Sequence, residues 1–177
     1  GETDDEVEAK ARAVIAAGYP ASEVTKVPIH VDVAKFRDGS PQFDLHKSYP
    51  TFSRIVLSIG RLQPEKNYAR LIKAFAAVHK VHDDAMLLIV GSGPERERLS
   101  VLVRTLGIEK AVVLLPWARD VVSYYKTSDL YVQPSRYEGW GMAIVEAMSA
   151  GATPFAVNSL NMRVNGYEFH MDLTSGK

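Results

Sequence analysis

The chain has no cysteine. That excludes a disulfide framework and thiolate metal sites, and it suits a reducing compartment such as the cytoplasm. Neither sign of charge is in excess: 21 Lys plus Arg balance 21 Asp plus Glu. A neutral chain is not built to coat nucleic acid through bulk charge, so nucleic acid is not an expected partner and any basic site must be local. No apolar stretch reaches the ~18 residues of a membrane-spanning helix. The first residues are acidic, with Glu2, Asp4, Asp5, Glu6 and Glu8 where a signal peptide is positively charged. A cytoplasmic location is the expectation, with peripheral contact at the inner face of a membrane left open. Repeats and low-complexity tracts are lacking. So is an Asp-x-Asp triplet that would clamp a metal onto a diphosphate, and no metal site is expected.

What remains is a 177-residue chain, 46% hydrophobic, enough for one well-cored domain and a short appendage. Thr3 and Glu6 have capping-box spacing, and Val7, Ala11, Val14 and Ile15 recur at helical intervals until Gly18 and Pro20. Val24 to Val31 reads as an extended segment, with Pro28 arguing against a central strand. Arg37 to Phe52 is irregular and polar and reads as a linker or surface insertion. Order returns with short apolar runs at Ile55–Ile59, Ala85–Val90, Ala111–Leu115, Asp129–Gln133 and Thr153–Val157. Such runs suit parallel strands buried on both faces. Helical patterns separate them: Tyr68–Val81, with Leu71, Ile72, Phe75 and Val78 on one face; a segment from Pro94 to about Leu106; Val121–Lys126; and Met142–Ala150. Strand and helix in alternation predict an α/β fold, a Rossmann-like doubly wound parallel sheet. Its ligand is expected beyond the carboxyl ends of the strands.

The unusual residues of the chain sit at those ends. Gly60 lets a ligand approach the backbone, and Arg61 and Lys66 in the same loop read either as solvated surface charges or as two cations converging on an anion. Gly91-Ser92-Gly93-Pro94 is a second candidate phosphate loop, or simply a tight turn with Pro94 at the first helical position. It is not the dinucleotide fingerprint, because Arg96 stands where a third small residue is needed and the loop follows the second strand. Pro134 to Gly141 brings glycines to a helix N-terminus, which suits an anion. Glu138 lies in that loop and Glu146 on the helix after it. A carboxylate among Ala143, Ile144, Val145, Ala147 and Met148 calls for a partner. Trp117 reads either as a wall for a base or as a packed side chain. His79, His82, Asp83 and Asp84 cluster without a further ligand at sensible spacing.

These segments resemble the retaining GT-B glycosyltransferases, the group 1 or family 4-like enzymes that include bacterial mannosyl- and glucosyltransferases. VLSIGRLQPEKNYARLIKAF is similar to the family's glycine-arginine-lysine loop, LLIVGSGPERERL to its second loop, and DLYVQPSRYEGWGMAIVEAMSAGATPFAV to its signature of two glutamates separated by seven residues. GYPASEVTKVPIHVDVAKF is similar to the hand-over into the family's C-terminal domain. Together they cover most of Gly18–Val157.

The resemblance implies a donor-binding domain for a nucleotide-diphosphate sugar, with catalytic roles for Glu138, Arg61 and Lys66. Arg61 and Lys66 would neutralise the diphosphate, and Glu138 would touch the transferred sugar. Gly139, Trp140 and Gly141 would offer backbone amides, Glu146 would hold the ribose, and Pro116 and Trp117 would lie near the base. Gly60 and Gly91 would admit the donor to the backbone. It further implies hexosyl transfer without a metal or other cofactor. The acceptor, a sugar or lipid-linked glycan, would be held by an N-terminal domain outside this chain. The expected layout is an interdomain helix, extended segment and linker over 1–53 and the nucleotide-sugar-binding domain over 54–177. Asn158 to Val164 departs from the family's glycine-rich continuation. A non-catalytic nucleotide-sugar-binding module and a nucleotide-sugar epimerase on the same architecture are the alternatives. The paired glutamates favour a transferase over an epimerase.

Overall fold

The computed structural model describes residues 4–24, 31–136, 138, 141–156, 163–164 and 167–168. The chain divides into two compact units, Val31–Leu160 and a second formed by Gly1–His30 with Asn161–Lys177. In the second unit, α1 spans Asp4–Ala16 and a 3-10 turn covers Ala21–Glu23. Gly18, at φ 101°, takes the left-handed conformation that ends the helix. Val14 and Ile15 share the expected face but stay exposed. Thr3 and residues 25–30, part of the expected capping box and extended segment, lie outside the described residues.

The larger unit opens with two short helices, α2 (Val33–Asp38) and α3 (Leu45–Ser48). The sheet follows as β1 (Arg54–Ile59), β2 (Ala85–Val90), β3 (Val112–Leu115), β4 (Leu130–Gln133) and β5 (Thr153–Ala156). All five strands are parallel, in the order β3-β2-β1-β4-β5. The interleaved helices are α4 (Tyr68–His79), α5 (Arg96–Thr105), α6 (Val121–Thr127) and α7 (Met142–Ser149). This is the doubly wound α/β sheet that the alternation predicts. In the other unit, β6 (Arg163–Val164) and β7 (Tyr167–Glu168) pair antiparallel.

Each strand forms for a local reason. All six residues of β2 are buried, as expected of a strand covered on both faces. Its alternate residues Ala85, Leu87 and Ile89 pack with Leu71, Ile72 and Phe75 of α4 and Leu99 and Val103 of α5. Each fully buried leucine or isoleucine contributes about 1.5–3 kcal/mol. Pro154 is accommodated in β5 because that strand is an edge and needs fewer ladder donors. Val78, expected on the buried face of α4, is exposed. Helix α5 begins at Arg96, so Pro94 belongs to the turn before it and not to the first helical position.

The stretch read as a linker is structured and belongs to the same unit as the sheet. Asp32 caps α2 by accepting from the Lys35 amide, and Asp44 caps α3 by accepting from the His46 amide. Phe36 and Leu45 are buried, and the Phe36 ring meets Tyr125 edge-on at 5.9 Å. The Gln42 amide donates to Ser123 Oγ at 2.6 Å, and Lys126 Nζ donates to the Arg37 carbonyl at 2.7 Å. These long-range bonds order a segment whose composition alone suggests none. Among the described residues no helix is long and apolar enough to cross a membrane.

Candidate functional site

The strand order reverses between β1 and β4, and the loops that leave those strands flank the switch point. The β1 loop is zipped to the β2 loop. Leu62 N donates to the Ser92 carbonyl at 2.9 Å, and Glu95 N donates to the Leu62 carbonyl at 3.1 Å. The approach is close enough to require glycine: a Cβ on Gly91 would lie 1.9 Å from the Gly60 carbonyl oxygen. On its other side the β1 loop is tied to the β4 loop. Arg136 N donates to the Glu65 carbonyl at 2.8 Å, and Asn67 Nδ2 donates to the Pro134 carbonyl at 3.2 Å. Three strand ends thus form one continuous rim.

Lys66 and Glu138 meet on this rim, the ammonium donating to both carboxylate oxygens at 2.7 and 2.8 Å. Both side chains are largely buried, at 17% and 10% exposure. Glu138 Oε1 also accepts from Gln133 Nε2 and Ser135 Oγ, while Gln133 Oε1 accepts from the buried Tyr131 hydroxyl. Glu146 has the partner its apolar surroundings call for: Tyr125 Oη donates to Glu146 Oε2 at 3.0 Å. Burial pushes the Tyr125 and Tyr131 phenols well above their ordinary pKa, and the nearby tyrosines and glutamates push the same way. Both hydroxyls therefore remain donors.

Above this network lies a cavity of about 650 Å³. Of the residues singled out by sequence, Gly60, Arg61, Lys66, Gly91, Trp117, Glu138, Gly141 and Glu146 line it. Gly141 precedes α7 at φ 57°. Gly139 and Trp140 lie outside the described residues. Arg61 is mostly exposed and stands 3.8 Å from Glu65, leaving its guanidinium available at the mouth. Trp117 is not packed: it is 65% exposed, its backbone amide donating to Ser92 Oγ at 3.2 Å. Cations and carboxylates thus share one concave surface, a combination fit to hold a molecule with both anionic and hydroxyl groups.

The sequence profile described as "Glycosyl transferases group 1" matches residues 45–164. The chain belongs to that family. It is 30% identical over 145 residues to an Escherichia coli UDP-Gal:alpha-D-GlcNAc-diphosphoundecaprenol alpha-1,3-galactosyltransferase, covering 78% of this chain and 37% of the relative. It is 30% identical over 151 residues to a Mycobacterium tuberculosis GDP-mannose-dependent alpha-(1-6)-phosphatidylinositol monomannoside mannosyltransferase, covering 79% and 39%. The chain therefore spans well under half the length of these curated relatives. The crystal structure of Anabaena HepE in complex with UDP superposes with a TM-score of 0.64 at 26% identity, covering 86% of this chain and 43% of that one. The C-terminal domain of a Francisella tularensis group 1 glycosyl transferase, LpcC, superposes with a TM-score of 0.61 at 21% identity, covering 72% and 70%. The fold is thus the Rossmann-like C-terminal half of a GT-B glycosyltransferase, as the resemblance implies.

Sequence reasoning missed several lining residues of this family member. Lys35 lines the cavity from α2, which begins ahead of the stretch read as a linker, and Arg119 lines it from the loop after β3. Gln133, the last residue of β4, is a buried neutral polar group that also lines the cavity, and Ser135 is buried in the loop beyond. A polar residue closing an apolar strand was the available signal. The histidine cluster resolves into structural contacts. His79 stacks on Phe75 and its Nδ1 meets the Ala85 carbonyl at 3.1 Å. Asp84 bonds Ser53 and Arg54.

Proposed function

We propose that this chain is the donor-binding domain of a retaining, metal-independent hexosyltransferase. It would hold a nucleotide-diphosphate sugar for transfer to a sugar or lipid-linked acceptor bound by a separate domain. The observation that carries this reading is the shared cavity at the switch point, where Arg61 and Lys66 stand beside Glu138 and Glu146. Departure of a nucleoside diphosphate develops negative charge, and the two cations lining the cavity stabilise it without a metal. Glu146 accepts from the vicinal ribose hydroxyls, Glu138 from a hydroxyl of the sugar, and Trp117 offers a flat face to the base. Retention rests on the likeness of the paired-glutamate segment to retaining enzymes. A cytoplasmic location at the inner face of a membrane goes with the same likeness.

The reading is tested by calorimetry of the purified chain with UDP-galactose, UDP-glucose and GDP-mannose, each with and without EDTA. One of them should bind, with an affinity that chelation leaves unchanged. Binding that disappears with EDTA would remove the metal-independent part of the proposal, and binding of none would remove the whole.

A further inference from the structure

The two oxygens of Glu138 are in different situations. Oε1 accepts from three donors, Lys66 Nζ, Gln133 Nε2 and Ser135 Oγ. Oε2 accepts from Lys66 Nζ alone among the described residues. A carboxylate oxygen with three partners has little capacity left, whereas one with a single partner retains a free lone-pair direction.

The orientation of Gln133 is itself determined. Its amide has a donor end and an acceptor end, and the Tyr131 hydroxyl donates to Oε1. The NH₂ end must then face Glu138 and Ser135, with Ser135 Oγ 3.4 Å away. The reverse rotamer would set the amide oxygen against the Glu138 carboxylate, acceptor against acceptor. Gln133 and Tyr131 are both buried, at 4% and 0% exposure, so water does not relieve the mismatch. The Glu138 carboxylate, which only accepts, thus fixes the NH₂ end of Gln133 toward Oε1, and the Tyr131 hydroxyl meets the amide oxygen at the other end.

We propose that Gln133, braced by Tyr131, is a positioning residue that occupies Glu138 Oε1 together with Ser135 and leaves Oε2 as the acceptor for a sugar hydroxyl of the donor. The inference rests on the donor-site reading above and adds a division of labour to it. Contacts to the nucleoside diphosphate belong to Arg61, Lys66 and Glu146. Recognition of the sugar depends on Gln133 and Ser135, the buried donors that occupy the other oxygen of Glu138.

The test compares affinities for the bare nucleoside diphosphate and its sugar, UDP against UDP-galactose and GDP against GDP-mannose, in wild type, Gln133→Met, Ser135→Ala and Tyr131→Phe. The ratio of the two dissociation constants isolates the sugar. In Gln133→Met the sugar nucleotide should weaken by about three- to tenfold relative to the bare diphosphate, the scale of one net hydrogen bond, while the bare diphosphate stays within about twofold. Tyr131→Phe and Ser135→Ala should shift the ratio the same way by less. Because Tyr131 acts through Gln133, adding Tyr131→Phe to Gln133→Met should not change the ratio further. A merely structural role would weaken both ligands together, and that result, or an unchanged ratio in folded variants, would overturn the inference. Wild type binding neither UDP nor GDP would instead sink the donor-site reading.

Discussion

Lys66 and Glu138, 72 residues apart in sequence, are joined by two hydrogen bonds that tie the loop after β1 to the loop after β4. The pair spans the point where the strand order reverses. It belongs to the frame of the cavity as much as to its ligand-binding surface, and that dual membership separates it from Arg61.

Replacing Lys66 by Met should therefore cost both stability and binding, whereas Arg61→Ala should cost binding alone. Removing one partner of a mostly buried pair leaves an uncompensated carboxylate, a loss of about 3 kcal/mol. Arg61 is 74% exposed and its ion pair with Glu65 is long, so its removal should shift unfolding by less than ~0.5 kcal/mol. Both substitutions should weaken the nucleoside diphosphate, Arg61→Ala by roughly ten- to a hundredfold. Urea unfolding paired with calorimetry distinguishes them. If Arg61→Ala were folded and bound with unchanged affinity, Arg61 would be an ordinary surface charge.

Glu146 should read the ribose. Its Oε2 already accepts from Tyr125, which fixes the carboxylate on an otherwise apolar helix. Glu146→Gln should weaken a ribonucleoside diphosphate more than its deoxyribose counterpart, because a carboxylate accepts from vicinal hydroxyls better than an amide does. Tyr125→Phe should narrow the same discrimination to a smaller degree. Equal losses for the two sugars would assign Glu146 to structure only.

Three phenols should make the fold sensitive to alkali. Tyr68, Tyr125 and Tyr131 all have pKa values pushed above the ordinary 10.0, chiefly by burial. In the unfolded chain they ionise near 10, while in the folded chain they keep their protons. Their contribution is thus complete below about pH 10 and is lost as pH rises above it, where the unfolded state binds fewer protons. Phenolate absorbance should show these three titrating only with the unfolding transition. Eight tyrosines ionising together near pH 10 in a chain that stays folded would contradict this account.

Much of this was legible in the sequence, for a physical reason. Parallel strands covered on both faces must be apolar throughout, so AMLLIV announces β2, and the glycines and charges after each run mark the ligand end of the sheet. The register that brings Lys66 to Glu138 is not local and left no trace in composition. Helices α2 and α3 were hidden because each has one buried hydrophobic residue and is held by an Asp cap and by bonds to residues more than 80 positions away. With α2 went Lys35, whose place at the cavity follows only from that packing. Gln133 was invisible as a positioning group because its partners Tyr131, Ser135 and Glu138 converge only once β4 and its loop have formed.

The chain by itself should bind the donor and fail to transfer its sugar. Transfer requires an acceptor oxygen held about 3–3.5 Å from the anomeric carbon with water excluded. The cavity here is bounded on one side by the strand ends, and its mouth carries exposed Arg61 and Trp117. A donor seated there would leave its sugar facing solvent. The curated relatives are more than twice as long as the part this chain matches, room for a second wall. Incubation with the best-binding donor and a panel of sugar and lipid acceptors, followed by mass spectrometry, should therefore yield slow hydrolysis at most. Adding the N-terminal domain of a full-length relative should restore transfer if that domain supplies the missing wall. Robust turnover by the chain alone would place an acceptor site within these 177 residues, and the division between donor and acceptor domains would have to be redrawn.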